Sequence, residues 1–304
     1  MRLAVSRAGW AALVLLVVVT LSFALVRSLP GGPFDEQRAL DPVIRANLMA
    51  AYDLDAPLPA QYGRYVLGLL HGDFGPSLRY RDYSVGQILA ESLPISALLG
   101  TLALVIALVA GLAAGALAAA RRGSWLDTVV MGAATAGIAL PNFVLAGVLV
   151  LLFSFHWRLF PVAGWGSPAQ LVLPSLALGL PFAASIARLF RAGLLESFGE
   201  DWIRTARAKG RSPSGVLWGH AARVALLPVV SYTGPAAAGI LSGSLVVERV
   251  FAISGMGSHF VDSAFNADYN LALGVVIVYT ALVSALNLLA DLAYGLLDPR
   301  IEAP

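Results

Sequence analysis

The sequence predicts an all-α integral membrane protein of about six transmembrane helices, and three observations predict it. Apolar residues make up 58% of the 304 residues, charged residues only 12%, and the mean hydropathy is +0.78. A soluble domain carries roughly 25% charge, so a surface this poor in charge needs an apolar solvent. The deficit runs through most of the chain after Leu93, which points to one membrane domain over residues 1–304 rather than two soluble ones. The apolar residues also fall in runs of about 20, the length that crosses a bilayer core as a helix. Net charge is only +2 and excludes little. The absence of cysteine excludes disulfides, thiolate catalysis and cysteine-ligated metals.

The runs cover roughly 9–28, 94–119, 126–155, 169–190, 224–247 and 270–296. The first follows Arg2 and Arg7, as the core of a signal peptide would. Its apolar stretch from Ala11 to Val26 outlasts a usual signal core, and no Ala-x-Ala site follows, so an uncleaved span is expected. The third, fourth and fifth runs contain Pro141, Pro174, Pro181, Pro228 and Pro235. Within a membrane such breaks survive where neighbouring helices or a cavity satisfy the freed carbonyls, and kinked packing is the simplest reading of each.

Orientation follows from basic residues in short loops. Arg2 and Arg7 precede the first span, Arg121 and Arg122 follow the second, and Arg188, Arg191, Arg204, Arg207, Lys209, Arg211 and Arg223 fill the fourth-to-fifth connection. The other side has Arg158 and Arg249. Both termini are therefore expected in the cytoplasm and segment 29–92 outside. In that segment, Pro-rich turns lie at Pro30–Pro33 and Pro57–Pro59, and Leu58 to Leu70 reads as a short amphipathic helix bearing Tyr62, Tyr65 and Leu69. It suits a docking face, a gate cap, or a loop packed on the helix tops.

The segment 191–223 is the informative one. Glu200 and Asp201 sit where a helix dipole favours acid. Trp202, Ile203 and Ala206 recur at helical spacing, with Arg204, Arg207 and Arg211 expected on the opposite face. Gly210 closes the helix and Pro213 follows. Physics alone reads an interfacial helix, anchored by Trp202 and by arginine attraction to anionic lipid.

The stretch TARAKG, followed by HAARVALLP, resembles the cytoplasmic signature of ATP-binding cassette (ABC) importer permeases, in the dipeptide/oligopeptide/nickel group. Of the general pattern Glu-Ala-Ala-x-x-x-Gly, Thr205, Ala206 and Gly210 fill three positions. Arg204 stands in place of Glu and Arg223 in place of a frequent Pro, both as in the peptide-permease version, which His220 also suits. LDAPLPAQYGRYVLGLLHGDFGPSL at 54–78, RRGSWLD at 121–127, VERVFAISGMG at 247–257 and LDPRI at 297–301 resemble further family stretches, in order, as in the first permease subunit. Ser254 stands where the family often has Pro, and Ala267 replaces a frequent Arg before Asp268 and Tyr269, departures that bear on the outer mouth.

The resemblance implies a coupling helix, carried by Trp202, Thr205, Ala206, Arg207, Lys209 and Gly210, that docks on an ATPase subunit. It implies a bacterial inner-membrane location, a second homologous permease subunit, cytoplasmic ATPase subunits, an external substrate-binding protein, a peptide substrate and surrounding membrane lipid, with no nucleic-acid partner. No Gly-x-x-x-x-Gly-Lys-Ser/Thr loop occurs, so the chain has no P-loop to hold nucleotide phosphates; the resemblance implies no cofactor in this chain and no enzymatic activity, with ATP and Mg bound by the partner ATPases. Asn142, Ser185, Ser231, Tyr232, Thr233, Ser242 and Ser244 are candidates to line a translocation path, although Ser and Thr also bond their own helix. Asn287 and Asp291, one turn apart on the last span, read as an inter-helix bond. A nickel permease of the same group is the alternative substrate reading. A secondary transporter would need a mid-span carboxylate, which the runs do not offer. An intramembrane enzyme would need clustered groups, whereas His71, His156, His220 and His259 are scattered over loops on both sides.

Overall fold

Apolar runs form helices here throughout, Val- and Ile-rich stretches included, and among the described residues the one non-helical pairing is a bridge between Pro76 and Ser84. The computed structural model describes residues 2–28, 56–80 and 83–297, with side chains over 9–28, 56–80 and 83–290. Its elements are α1 (Arg2–Ser28), α2 (Leu58–Leu70), α3 (Val85–Ala120), α4 (Trp125–Ala139) and α5 (Asn142–Leu149, continued by a π-helical stretch Val150–His156). Then follow α6 (Pro168–Gly199), α7 (Asp201–Ala208), α8 (Pro213–Val216, continued by a π-helical stretch Leu217–Ala221), α9 (Ala222–Val250), α10 (Met256–Phe265) and α11 (Tyr269–Leu297). Five helices are long and apolar enough to cross a membrane, six if α4 and α5 together make one bent span.

That bend departs from the sequence reading, which drew 126–155 as one run. The two arms meet at 114°. Leu140 is extended (φ −84°, ψ 128°), the conformation favoured before a proline, and Pro141 has no N–H to continue the ladder. Pro174 and Pro181 in α6, and Pro228 and Pro235 in α9, are instead absorbed within continuous helices. Two helices also outrun their apolar stretches. α3 starts at Val85 because Ser84 caps it: the Ser84 hydroxyl accepts from the Gln87 backbone N–H at 3.2 Å, and the Gln87 side-chain Oε1 accepts from the Ser84 N–H at 2.9 Å. α6 continues to Gly199, with Leu194 and Ser197 buried beyond the expected end at 190.

α6 is the central element, packing on α3, α4, α5 and α9. Its closest neighbour is α3, and small residues set the approach. A Cβ on Gly111 would stand 2.7 Å from the Ala183 carbonyl oxygen, on Gly115 2.6 Å from that of Ala187, and on Gly179 2.5 Å from that of Ala103. Lipid tails are as apolar as leucine, so dispersion across such close backbones holds membrane helices together. The bundle then has two distinct ends. At one, the arginine-rich end, the close of α3 meets α7 and α8. At the other, residues 73–80 and the loop around Gly164 meet the chain between α9 and α11.

Candidate functional site

α7 is built by local chemistry and then tied to the bundle. Glu200 is extended (φ −75°, ψ 148°) and its N–H bonds the Ser197 carbonyl at 3.1 Å, which turns the chain sharply out of α6. Asp201 occupies the first turn and pairs with Arg204 at 3.0 Å, an exposed pair of small energetic weight. Ile203 and Ala206 are buried in one cluster with Phe190, Leu194, Val216 and Leu217. The helix ends in a Schellman motif: Gly210 N–H bonds the Arg207 carbonyl at 2.9 Å, and Arg211 N–H bonds that of Ala206 at 3.3 Å. Gly210 is left-handed (φ +77°), while a Cβ there would meet nothing within 4 Å in this chain.

The faces of α7 differ in detail from the sequence reading. Trp202 is 40% exposed and does not join the buried Ile203 and Ala206. Arg207 is not opposite them either. It lies four residues after Ile203, on nearly the same flank, and its guanidinium sits 5.7 Å over the Phe198 ring. Of the coupling candidates only Ala206 is buried; Trp202, Thr205, Arg207, Lys209 and Gly210 are exposed.

The candidate path residues separate into groups. Ser185 and Tyr232 line one open cavity of about 570 Å³ between α4, α6 and α9, together with Arg188 and Arg191. Asn142, at the start of α5, lies against Gly243 of α9, where a Cβ would stand 2.5 Å from its amide nitrogen. Ser231 and Ser242 are exposed on α9, donating to the carbonyls of Leu227 (3.2 Å) and Gly239 (3.1 Å); half-buried Thr233 donates to that of Val229 (3.0 Å). Ser244 is elsewhere: fully buried, it donates to the Leu241 carbonyl at 2.7 Å and shares a 3.1 Å hydrogen bond with Tyr279 of α11. Asn287 packs against Gly234, where a Cβ would stand 2.8 Å from its side-chain oxygen. The side chain of Asp291, residues 29–55 and most of LDPRI lie outside the described residues.

α2 docks on α1. Tyr62 meets the Phe23 ring at 5.4 Å and Tyr65 at 5.9 Å, and the Tyr62 hydroxyl is 2.7 Å from that of Thr20.

Three buried acidic anchors were not singled out from the sequence. Glu248 is fully buried: one oxygen accepts from the Ser96 hydroxyl at 2.7 Å, the other from the N–H groups of Gly257 (2.8 Å) and Ser258 (3.2 Å) at the start of α10. Asp268, also fully buried, accepts from the Ser77 hydroxyl and from the N–H groups of Leu78 (3.1 Å) and Leu271 (3.2 Å). At the arginine-rich end Asp127 takes a bidentate pair from Arg191, 2.7 Å for each bond, joining α4 to α6. The available signal was an acid beside small residues within a named stretch, VERVFAISGMG for Glu248 and RRGSWLD for Asp127; the partners lie far away in sequence. Near Asp268, His259 meets Tyr80 edge-on at 6.2 Å, and burial holds its pKa below the ordinary imidazole value against the pull of Asp262 and Glu91.

Residues 108–303 match the model of a family described as binding-protein-dependent transport system inner membrane component. The chain is 45% identical over 294 residues to the dipeptide transport system permease protein DppB of Bacillus subtilis, covering 96% of each. It is 41% identical over 290 residues to the oligopeptide transport system permease protein OppB of Salmonella typhimurium, covering 95% of each. Among solved structures it is similar to a chain of the MetNI methionine ABC transporter in inward-facing conformations. That match has a TM-score of 0.58 at 18% identity and covers 70% of this chain and 97% of that one, a likeness of fold.

Proposed function

The chain belongs to the family of binding-protein-dependent transport system inner membrane components, and on that premise we propose that it forms, with a second homologous permease subunit, the path by which di- and oligopeptides cross the bacterial inner membrane. It is a multi-pass membrane permease and not an enzyme. The substrate class is carried over from the relatives, whose names specify dipeptide and oligopeptide transport. Neither nickel transport nor secondary transport is favoured by any relative named here. In this reading an external binding protein delivers the peptide, cytoplasmic ATPase subunits bind and hydrolyse ATP with Mg, and both termini and α7 face the cytoplasm.

The observation that carries the proposal is α7 itself. It is a two-turn helix at the arginine-rich end, tied inward by Ile203 and Ala206 and stopped by left-handed Gly210. Trp202, Thr205 and Lys209 are among its exposed groups and can meet an ATPase. A push on α7 passes directly into α6, because close-packed interiors transmit displacement rather than absorb it. α6 in turn contacts α3, α4, α5 and α9, so the supported movement is a rigid-body rocking of the bundle that opens the Ser185–Tyr232 cavity to one side or the other. Ser231 and Ser242 on the exposed side of α9, and Asn142 beside it, extend a polar track for peptide backbones.

The test uses the assembled transporter in liposomes, with peptide-stimulated ATP hydrolysis and labelled peptide uptake measured side by side. Gly210→Glu combines left-handed strain with bulk on the coupling surface. The expected result is normal insertion and binding-protein docking, with hydrolysis no longer tied to uptake or the ATPase subunits lost. A Gly210→Glu complex that assembles and keeps wild-type values in both assays sinks the coupling assignment.

A further inference from the structure

Beneath α7 lies a hollow of about 400 Å³, walled by the ends of α3 and α6 and by α8. We propose that it is a site for one anionic phospholipid, whose phosphate headgroup is held by Arg122, Arg207 and Arg211. All three arginines line the hollow, and among the described residues none of them pairs with a carboxylate. Asp127, close in sequence to Arg122, has both oxygens engaged by Arg191. Arg207 is held in place over Phe198, so its fork of donors is pre-arranged for a phosphate. The rest of the wall is apolar, including Ala119, Leu195 and Leu217. Guanidinium groups above an apolar wall suit a headgroup attached to a chain better than a free ion.

Depth supports the same occupant. The apolar length of α3 ends at Ala120, immediately before Arg121 and Arg122. Trp125 and Trp218, 72% and 58% exposed, stand at the same end, and exposed indoles favour the headgroup level. A track also leads away from the hollow. Val105, Val109 and Leu117 are exposed on α3 and continue to Ala120, which lines the hollow itself. Residues at such spacing share one helix face, and Val109 to Ala120 spans roughly 16 Å, about half of a ~30 Å hydrocarbon core. An acyl chain lying along that stripe would therefore place its phosphate among the three arginines. Basic pockets between membrane helices are where anionic headgroups bind. The site does not depend on which solute the path carries.

The experiment takes the assembled transporter, equilibrated with equal phosphatidylglycerol and phosphatidylcholine, and counts retained lipid by native mass spectrometry after mild delipidation. The wild type should keep one phosphatidylglycerol in preference to phosphatidylcholine. The preference should fall roughly fivefold in Arg122→Gln and roughly thirtyfold in the Arg122→Gln/Arg211→Gln pair. An Arg122→Lys/Arg211→Lys pair should keep most of it, and carries the measurement with the single variant if the Gln pair fails to assemble. Equal retention of the two lipids by the wild type, or an unchanged preference in the Gln variants, overturns the site. So does displacement by millimolar inorganic phosphate, which would mark a free-anion site. Lipid kept by the lone permease but expelled by the ATPase subunits would assign the hollow to their interface, and equally overturns it.

Discussion

At the arginine-rich end α7 stops in a Schellman motif with Gly210 in the left-handed position (φ +77°). At the opposite end α9 stops in the same motif with Ala252 there (φ +51°), and α10 closes with Ala267 (φ +52°) above a bond from Asp268 N–H to the Ser263 carbonyl. A left-handed alanine costs about 1 kcal/mol, and such strain persists where the surroundings over-determine the backbone. The opposite end does over-determine it. Glu248 pins the start of α10 to α3 and α9, and Asp268 pins residues 77–78 to the start of α11. Gly255 and Gly257 leave no room for a Cβ, which at either position would run into a Glu248 oxygen. α7 has no such anchors beyond Ile203 and Ala206, so its turn relies on glycine. One end is locked by buried acceptors, and the other is presented on a short lever.

The largest effect expected from breaking this contrast is at Glu248. Glu248→Ala leaves two buried N–H groups and the Ser96 hydroxyl without their acceptor, a loss of about 3 kcal/mol or more. The denaturation midpoint of the solubilised complex should fall sharply, and proteolysis should begin within 251–268. A variant that melts with the wild type would mean the lock resides elsewhere. The middle effect is at Gly210, where Ala costs about 1 kcal/mol and Asn, which tolerates left-handed backbone, costs less. Uptake should therefore fall further in Gly210→Ala than in Gly210→Asn; equal losses would place the requirement in close approach to a partner rather than in conformation. The smallest effect is relief of strain. Ala252→Gly and Ala267→Gly should each raise the midpoint slightly, for a stability gain of at most about 1 kcal/mol, since glycine's freer unfolded chain offsets part of it. A lowered midpoint would show that the alanine methyl groups earn more in packing than their backbones cost.

What was legible in the sequence was local. The apolar runs, the bounds of α2 at Leu58 and Leu70 and the stop of α7 at Gly210 each depend on residues within a turn or two. What was not legible depends on chain segments far apart. Glu248 finds Ser96 across 152 positions and Asp268 finds Ser77 across 191, so no periodicity could pair them. Arg207 is exposed as its polarity suggests, but its flank is set by Ile203 one turn earlier and not opposite it. Pro141 and Pro181 read alike in sequence. Only the first breaks a helix, because its preceding residue is extended rather than held by neighbours in a continuous helix.

That break has a consequence for whatever surrounds it. α4 has 15 residues, about 22 Å of helix, which is shorter than a ~30 Å hydrocarbon core. Its last carbonyls, a partial negative charge, therefore end short of that thickness, beside the first N–H groups of α5, of which those of Val144 and Leu145 already bond the Pro141 carbonyl. Hydrocarbon can hydrate neither. Ile138 and Phe143, on the two arms, are exposed in this chain alone, and any backbone group left open at the bend needs cover from another polypeptide or from water. The backbone at Pro141 thus dictates the solvent on its open side: a neighbour that brings donors and acceptors can sit there, and a lipid tail cannot.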